Sequence, residues 1–227
     1  MARTTELRFD VGAHGKTSGA VYRAADPVGA TLVFAHGAGA PRTHPFVVGL
    51  AKKLAARGVD VVTFNFLYAE AGRRAPDRVE LLETCWRAAI AKVRARTGLE
   101  TSPLFVGGKS MGGRIATRVA GAKEGLVIDG VVCVGYPLHP PGKPDVARAE
   151  ILSVDLPLLV VQGTRDAFGG AAVLKKYLRR RANARVVAIE DGDHSLEVPK
   201  RAERDALAEA ADAIATFVKR LVKEGGA

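Results

Sequence analysis

The segment 103–114 is the feature of this sequence that most constrains how the chain can fold. Residues 104–106 form a short apolar run that predicts a buried strand, and the residues behind it have helical spacing. Between strand and helix, residues 108–112 fit the Gly-x-Ser-x-Gly pattern of a nucleophile elbow. A backbone that turns this sharply is crowded, so the positions flanking the serine require glycine. The pattern predicts that the Ser110 hydroxyl projects from the sheet beside a helix N-terminus, whose dipole would favour an anion.

A phosphate-binding P-loop is the main alternative for this stretch, because Gly108, Lys109 and Ser110 also follow a strand and open a helix. That loop needs a glycine five positions before Gly108, and Pro103 stands there. A Gly-x-Ser-x-Gly match is weak by itself in a chain with 25 glycines. The elbow interpretation is therefore favoured over the P-loop, but it needs support from partner residues elsewhere.

Strand patterns alternate with helical patterns along nearly the whole chain. The predicted strands are at 7–11 and 20–23, which could pair at one edge, and at 31–36, 59–66, 104–106, 131–136, 156–162 and 186–189, with a further apolar pair at 127–128. The predicted helices are at 46–54, 76–93, directly after the elbow, 171–180 and 200–222. This alternation predicts an α/β fold, a mostly parallel sheet flanked by helices on both faces. With no repeat or linker, and with 48% hydrophobic residues for one core, residues 1–227 are expected to form a single domain.

Functional sites in such folds lie beyond the carboxyl ends of the parallel strands, which identifies two partners for Ser110. Asp166 follows the predicted strand 156–162, and His194 follows the predicted strand 186–189. The chain order serine, aspartate, histidine is that of the α/β-hydrolase triad. Taken singly, Asp166 could cap the next helix and His194 could be a polar loop residue. The three together, each after a strand, predict a catalytic triad.

The chemistry of a triad assigns a role to each of these residues. A serine hydroxyl is a poor nucleophile until a base takes its proton, and a neutral His194 can act as that base. Asp166 would orient the imidazole ring and stabilise its protonated form. Asp191 and Asp193 are rival acids, but they share the loop of His194 and are badly placed to reach its far ring nitrogen. Asp166 is therefore the predicted acid.

An oxyanion hole needs two N–H donors near the serine. The backbone N–H of Met111 is the first candidate, and the loop after the strand ending at His36 supplies the second, with Ala38 preferred over Gly39. His36 itself is expected to be a structural residue beneath that loop. The remaining histidines, which have no predicted partner and are treated as ordinary polar residues, are His14, His44 and His139.

Composition limits the other functions that the chain could have. The net charge of +10 invites a nucleic-acid interpretation, but its densest basic cluster, at 175–181, has no aromatic-rich strand beside it and is better explained as a solvated helix face. Cys85 and Cys133 are expected to be small buried hydrophobic residues, with no partner at metal-ligand spacing, so no metal or cofactor is predicted. No apolar run reaches the ~18 residues of a membrane helix, and the N-terminus from Met1 lacks a signal-peptide core, so a cytoplasmic location is expected.

Six motifs of the chain together resemble a known family. They are His36-Gly37-Ala38-Gly39, Phe64-Asn65-Phe66, Gly107-Gly108-Lys109-Ser110-Met111-Gly112-Gly113-Arg114, Gly135-Tyr136-Pro137-Leu138-His139-Pro140-Pro141-Gly142-Lys143-Pro144, Gln162-Gly163-Thr164-Arg165-Asp166 and Asp193-His194-Ser195. The family is one branch of the α/β-hydrolase superfamily, which contains small bacterial predicted hydrolases, the testis-expressed animal protein and the hydrolase-like regulatory subunit of a histone-acetyltransferase complex. A proline often stands in that branch where this chain has Leu67. The resemblance implies the fold and the triad Ser110, Asp166 and His194, but no particular substrate.

The spacing after the sixth predicted strand bears on the substrate. Residues 137–155, 19 in number, are too few for a sizeable lid domain, so an open site for small or short-chain esters is expected, as in a carboxylesterase or thioesterase. Arg73, Arg74 and Lys143 lie in loops that could border the cleft and are candidate binding residues for an anionic substrate. A monomer or homodimer is expected. The alternative is a non-catalytic binding or scaffold protein that meets acidic partners through its basic surface.

Overall fold

The computed structural model describes residues 3–96, 99–100, 102–122, 125–140, 142–143, 145–200 and 203–225. Met1 and Ala2, which belong to the segment that lacks a signal-peptide core, lie outside the described residues. So do Pro141 and Pro144 of the proline-rich loop.

The described residues form one sheet of eight strands. The strands are β1 (Arg3–Asp10), β2 (Lys16–Arg23), β3 (Thr31–Ala35), β4 (Asp60–Phe64), β5 (Leu104–Lys109), β6 (Gly130–Val134), β7 (Leu158–Gly163) and β8 (Ala184–Ile189). Their spatial order is β1-β2-β4-β3-β5-β6-β7-β8. β2 pairs antiparallel with β1 and with β4, and every neighbouring pair from β4 to β8 is parallel. The carboxyl ends of six strands therefore meet at one edge of the sheet, with β5 near its centre.

Helices cover both faces of this sheet. They are α1 (Pro45–Ala55), α2 (Leu67–Glu70), α3 (Val79–Arg94), α4 (Met111–Gly121), α5 (Ala171–Tyr177) and α6 (Ala206–Gly225), with 3-10 turns at Gly12–His14 and Glu150–Ser153. One hydrophobic cluster contains residues of α3, α4 and α5, and a second contains residues of α1 and α6. Successive residues of β5 alternate between them, since Leu104 and Val106 pack in the first and Phe105 in the second. The continuous apolar runs of the sequence are thus strands buried on both faces, as predicted.

Several element boundaries differ from those predicted. β1 and β2 begin earlier, at Arg3 and Lys16 instead of residues 7 and 20, and α3 begins at Val79 instead of residue 76. α6 begins at Ala206 instead of residue 200, because the Asp205 carboxylate accepts a hydrogen bond of 2.9 Å from the N–H of Ala208 and caps the helix there. The apolar pair 127–128 is not a strand, since β6 starts at Gly130 and the Val127 side chain is 69% exposed.

The two cysteines and the tryptophan lie in the core. Cys85 and Cys133 are fully buried free thiols, which confirms their prediction as small hydrophobic residues. Trp86 of α3 is also fully buried and packs edge-on against Phe64 of β4, with 5.0 Å between ring centroids. Its indole N–H has no hydrogen-bond partner among the described residues. The layer between α3 and the sheet is therefore packed by aromatic side chains.

None of the helices in the described part of the chain is long and apolar enough to cross a membrane.

Candidate active site

Ser110 occupies a strained turn between β5 and α4. Its φ of 51° lies in the left-handed region, which a residue with a side chain rarely adopts. Glycines make the turn possible, because a Cβ atom on either Gly108 or Gly112 would lie 2.6 Å from the carbonyl oxygen of Ala35. Although serine is a favoured N-cap residue, the Ser110 hydroxyl makes no capping bond to α4. The hydroxyl is therefore directed to another partner.

That partner is His194. The His194 Nε2 atom lies 2.9 Å from Ser110 Oγ, and His194 Nδ1 lies 2.8 Å from Asp166 Oδ2. A carboxylate accepts hydrogen bonds, so the Nδ1–H group donates to Asp166 and leaves Nε2 to accept the serine proton. The structure thus brings together the three residues that the sequence singled out, from the ends of β5, β7 and β8.

The Asp166 side chain is fully buried, and its carboxylate is oriented by further donors. The Phe168 N–H donates to its Oδ1 atom at 2.8 Å, and Gln162 Nε2 donates to its Oδ2 atom at 2.8 Å. Asp166 does not cap α5, whose N-cap position is Gly170. Its hydrogen-bond partners instead direct one carboxylate oxygen at His194.

The rival aspartates are not in contact with the His194 ring. Asp193 Oδ1 accepts from the N–H groups of Ser195 and Glu197 at 2.8 and 2.9 Å, so this carboxylate closes its own loop. Asp191 adopts a φ of 57° and presents its carbonyl oxygen to the Arg165 guanidinium. Both residues therefore shape the turn that carries His194.

Gln162 and Lys109 support this geometry, and sequence reasoning gave neither of them a role. The buried Gln162 amide bridges β7 to the loop after β6, because its Oε1 accepts from the Tyr136 N–H at 2.7 Å while its Nε2 donates to Asp166. Lys109 Nζ donates to the carbonyl oxygen of His194 at 2.6 Å. Burial lowers the pKa of Lys109 to about 8. A polar residue inside the apolar run of β7 was the signal that could have identified Gln162.

The candidate oxyanion hole lies between β3 and the elbow. Met111 is the first residue of α4, so its N–H has no partner within the helix, and Met111 and Ala38 both line the cleft beside Ser110. Gly39 is not among the residues that line the cleft. Gly37 lies close to the nucleophile, since a Cβ atom there would be 3.6 Å from the Ser110 Cβ.

His36 holds this loop from below. Its Nδ1 is 2.8 Å from the carbonyl oxygen of Gly37, and its Nε2 accepts from the Phe66 N–H at 3.1 Å. The side chain is fully buried, and burial lowers the pKa of His36 to about 4. The Tyr68 hydroxyl donates to the same Gly37 carbonyl at 3.2 Å. The neutral ring of His36 thus fixes the backbone on which Ala38 lies.

A cleft of about 1290 Å³ opens over Ser110 and His194. Its walls come from α1, α3, α4, the loop after β6 and the segment between β8 and α6. The lining combines apolar, polar and basic side chains, among them His44, Phe46, Leu82, Arg114, Arg148, Phe168 and Leu207. His44, treated above as an ordinary polar residue, caps α1 by accepting from the Phe46 N–H at 3.3 Å.

The three basic residues proposed from the sequence as substrate contacts do not line this cleft. Arg73 pairs with Asp77 at 2.6 Å, and that carboxylate lines the cleft in its place. Arg74 and Lys143 are exposed. Their loops were identified correctly, but no periodicity of the sequence sets the direction of a loop side chain. Within the described ranges, no group of three His, Cys, Asp or Glu side chains could hold a metal ion.

A serine on a strand–turn–helix elbow, with a histidine and an aspartate at neighbouring strand ends, is the arrangement of the α/β-hydrolase fold. The family model described as "Alpha/beta hydrolase domain" matches residues 28–219, and the chain belongs to this family.

Solved structures share the same fold at low sequence identity. A serine hydrolase without a lid from Xanthomonas campestris superposes with a TM-score of 0.73 at 22% identity, over 96% of this chain and 94% of that one. A dienelactone hydrolase from Anabaena variabilis has a TM-score of 0.72 at 20% identity, with 98% of each chain covered. An esterase from Pyrococcus furiosus has a TM-score of 0.72 at 17% identity, over 96% of this chain and 91% of that one. The predicted fold class, without a sizeable lid domain, is confirmed.

Proposed function

We propose that this protein is a serine hydrolase that cleaves small, short-chain esters or thioesters through an acyl-enzyme. The observation that carries the proposal is the continuous hydrogen-bond chain from Ser110 Oγ through His194 to Asp166, with separations of 2.9 and 2.8 Å. Family membership supports a hydrolase, and two of the similar structures, an esterase and a dienelactone hydrolase, support an ester as the bond cleaved.

Each residue has a defined part in the proposed reaction. His194 Nε2 takes the Ser110 proton as Oγ bonds to the carbonyl carbon of the ester, and the carbonyl oxygen becomes an oxyanion held by the N–H groups of Met111 and Ala38. The bond to the alcohol or thiol then breaks, and His194 returns its proton to that leaving group. The same ring then deprotonates a water molecule, whose oxygen bonds to the acyl carbon. As the bond to Ser110 Oγ breaks, His194 returns this proton to Oγ, and the carboxylic acid leaves. Asp166 stabilises the imidazolium in both halves.

The lack of a covering domain over the cleft, among the described residues, supports a soluble substrate. The loop after β6 covers only part of it, through Pro137 and Arg148, and the described residues include no inserted helical domain above Ser110. Such a site is open to water and needs no interface to activate it. Short acyl chains are therefore the expected substrates.

Active-site labelling tests this proposal directly. A fluorophosphonate probe should react with the native protein, and peptide mapping should place the adduct on Ser110. Ser110→Ala should abolish both labelling and hydrolysis of p-nitrophenyl butyrate, whereas the matched variant Ser102→Ala, at the far end of β5, should retain both. If folded protein is labelled elsewhere or not at all, the catalytic proposal fails and the non-catalytic scaffold alternative replaces it.

A further inference from the structure

Two arginine side chains line one wall of the cleft. Arg114 belongs to the first turns of α4, and its backbone N–H donates to the Ser110 carbonyl oxygen at 3.0 Å. Arg148 comes from the loop after β6, and both side chains line the cleft that contains Ser110. Both residues are half-buried. Two guanidinium groups thus face the space in which a substrate of Ser110 must lie.

The two arginines differ in their partners. Arg114 Nη1 pairs with Glu150 Oε1 at 2.9 Å, so one positive charge is balanced. Arg148 Nη1 donates to the carbonyl oxygen of Pro137 at 2.8 Å, and no carboxylate of the described residues lies within salt-bridge distance of its guanidinium. Burial, and then the positive charge of Arg114, lower the pKa of Arg148, and the Glu150 carboxylate, which pairs with Arg114, opposes this shift. The wall therefore carries a net positive charge, and the remaining N–H donors of Arg148 have no acceptor among the described residues.

Most other ionic groups around the cleft already have partners. Lys109 donates to the His194 carbonyl oxygen, and the negative charges of Asp166 and Asp193 act on its cation. The carboxylate of Asp77 accepts from Arg73 and from the Tyr68 N–H. At the mouth, Arg204 pairs with Glu209, and Asp205 pairs with Lys53 at 2.6 Å. Lys200 and Glu197 also lie at the mouth and are exposed to solvent. Arg148 is thus the half-buried cation of this wall whose charge a ligand can balance.

We propose that Arg148, assisted by Arg114, binds a carboxylate carried by the substrate, so that the preferred substrates are short esters or thioesters with a free carboxylate group. A planar guanidinium with unused N–H groups matches a carboxylate through two parallel hydrogen bonds. The inference rests on the proposed function, because the carboxylate belongs to the ester that Ser110 attacks. The carboxylate can lie on the acyl or on the alcohol part of the ester, so each possibility is tested with its own substrate.

Two matched substrate pairs separate these cases. The acyl pair is 4-nitrophenyl hydrogen adipate and its uncharged form, 4-nitrophenyl methyl adipate. The alcohol pair is 4-(butyryloxy)benzoate and its methyl ester. We expect the native protein to prefer the anionic member of at least one pair by about tenfold or more in kcat/KM, the effect of one charged hydrogen bond. Which pair shows the preference identifies the part that carries the charge.

Variants of Arg148 assign the preference to that side chain. Arg148→Gln removes the charge but keeps an N–H donor that can reach toward Pro137, and it should abolish the anionic preference, so that the kcat/KM ratio of the anionic to the neutral member of a pair falls to about one. Arg148→Lys should restore part of the preference. The control Arg185→Gln, an exposed arginine of β8, should behave as the native protein. Adipate should slow fluorophosphonate labelling of the native protein and of Arg148→Lys, but not of Arg148→Gln.

The outcomes distinguish this inference from the proposed function. If labelling occurs and the neutral esters are cleaved, but neither anionic ester is preferred, the carboxylate site is refuted and the hydrolase stands. If Arg148→Gln lowers the rates on both members of a pair equally, and adipate protects it as well as the native protein, Arg148 is a loop-holding residue and the inference is wrong. If no ester is cleaved and Ser110 is not labelled, the proposed function itself fails.

Discussion

Lys109, the residue before the nucleophile, holds the backbone of His194 through a hydrogen bond of 2.6 Å from its Nζ atom to the His194 carbonyl oxygen. The same cation lies 5.8 Å from the centre of the Phe46 ring. Gly135, with a φ of 59°, leaves the space for this contact, since a Cβ atom there would lie 2.8 Å from Nζ. The strand that presents the serine thus also positions the loop that presents the base.

Removing this contact should weaken the proposed catalysis without removing any triad residue. We expect Lys109→Met to lower kcat on p-nitrophenyl butyrate about tenfold, because a charged hydrogen bond that fixes the His194 loop is lost. The rate of fluorophosphonate labelling should fall in parallel. The control Lys175→Met, an exposed lysine of α5, should leave both rates unchanged. Native rates in Lys109→Met would show that the His194 loop holds its position without this bond.

A carboxyl group of the same shape should not be able to replace the amide of Gln162, because it has no N–H to donate to Asp166. Gln162→Glu would put a second carboxylate against Asp166 Oδ2, where the amide now donates at 2.8 Å. The variant should lose about 2 kcal/mol in the free energy of unfolding, because a buried donor becomes a like charge. The loss should be smaller at pH 5 than at pH 8, since protonation of either carboxyl relieves the repulsion. Denaturant titrations at the two pH values measure this, and an equal loss at both would contradict the electrostatic reason.

His36 should make the stability of the fold sensitive to acid. Its pKa is about 4 in the folded protein and near 6.5 when unfolded, so the unfolded state binds the proton first and stability falls as the pH drops from 6.5 to 4. The stability difference between the native protein and His36→Asn should therefore narrow by about 2 kcal/mol from pH 7 to pH 5. The control His14→Asn, which removes an exposed imidazole, should keep the pH dependence of the native protein. An equal difference in the free energy of unfolding between the native protein and His36→Asn at both pH values would refute the link between the protonation of His36 and stability.

Two glycines beside the nucleophile should respond differently to alanine. A Cβ atom on Gly112 would lie 2.6 Å from the backbone oxygens of Ala35 and His36, whereas one on Gly37 meets nothing closer than 3.5 Å. Gly112→Ala should cost about 3 kcal/mol in the free energy of unfolding, and Gly37→Ala less than about 1 kcal/mol. Thermal unfolding of both variants measures the contrast. Similar costs would show that the elbow can move away from β3.

The overall architecture was predictable because its signals are periodic. Short apolar runs bounded by proline and glycine, such as those of β5 and β7, predict buried strands, and their alternation with helices determines where the loops lie. The placement of Ser110, Asp166 and His194 followed, since parallel strands bring their carboxyl ends to one edge of the sheet. The spatial meeting of the three was predictable for that reason, although the distances were not.

The parts of the site that the sequence did not predict depend on contacts that leave no periodic pattern in the sequence. Gln162 lies inside an apolar strand, and only the fold shows that it faces Asp166. Arg148 follows a proline-rich loop whose path no pattern predicts, so Arg73, Arg74 and Lys143 were proposed in its place. The start of α6 is set by a side-chain cap at Asp205, a favoured N-cap residue that apolar spacing alone does not identify.

The packing of Trp86 against Phe64 gives the protein an optical reporter for one of its two layers. Trp86 is the single tryptophan of the chain, so its fluorescence emission follows the layer of α3 and will shift to longer wavelength when water enters it. The layer of α1 and α6 contains no tryptophan, so it does not contribute to the tryptophan emission. The unfolding midpoints from fluorescence and from circular dichroism should coincide if the helices on both faces separate from the sheet together. A difference between the two midpoints would show whether the α3 layer opens before or after the rest of the helices.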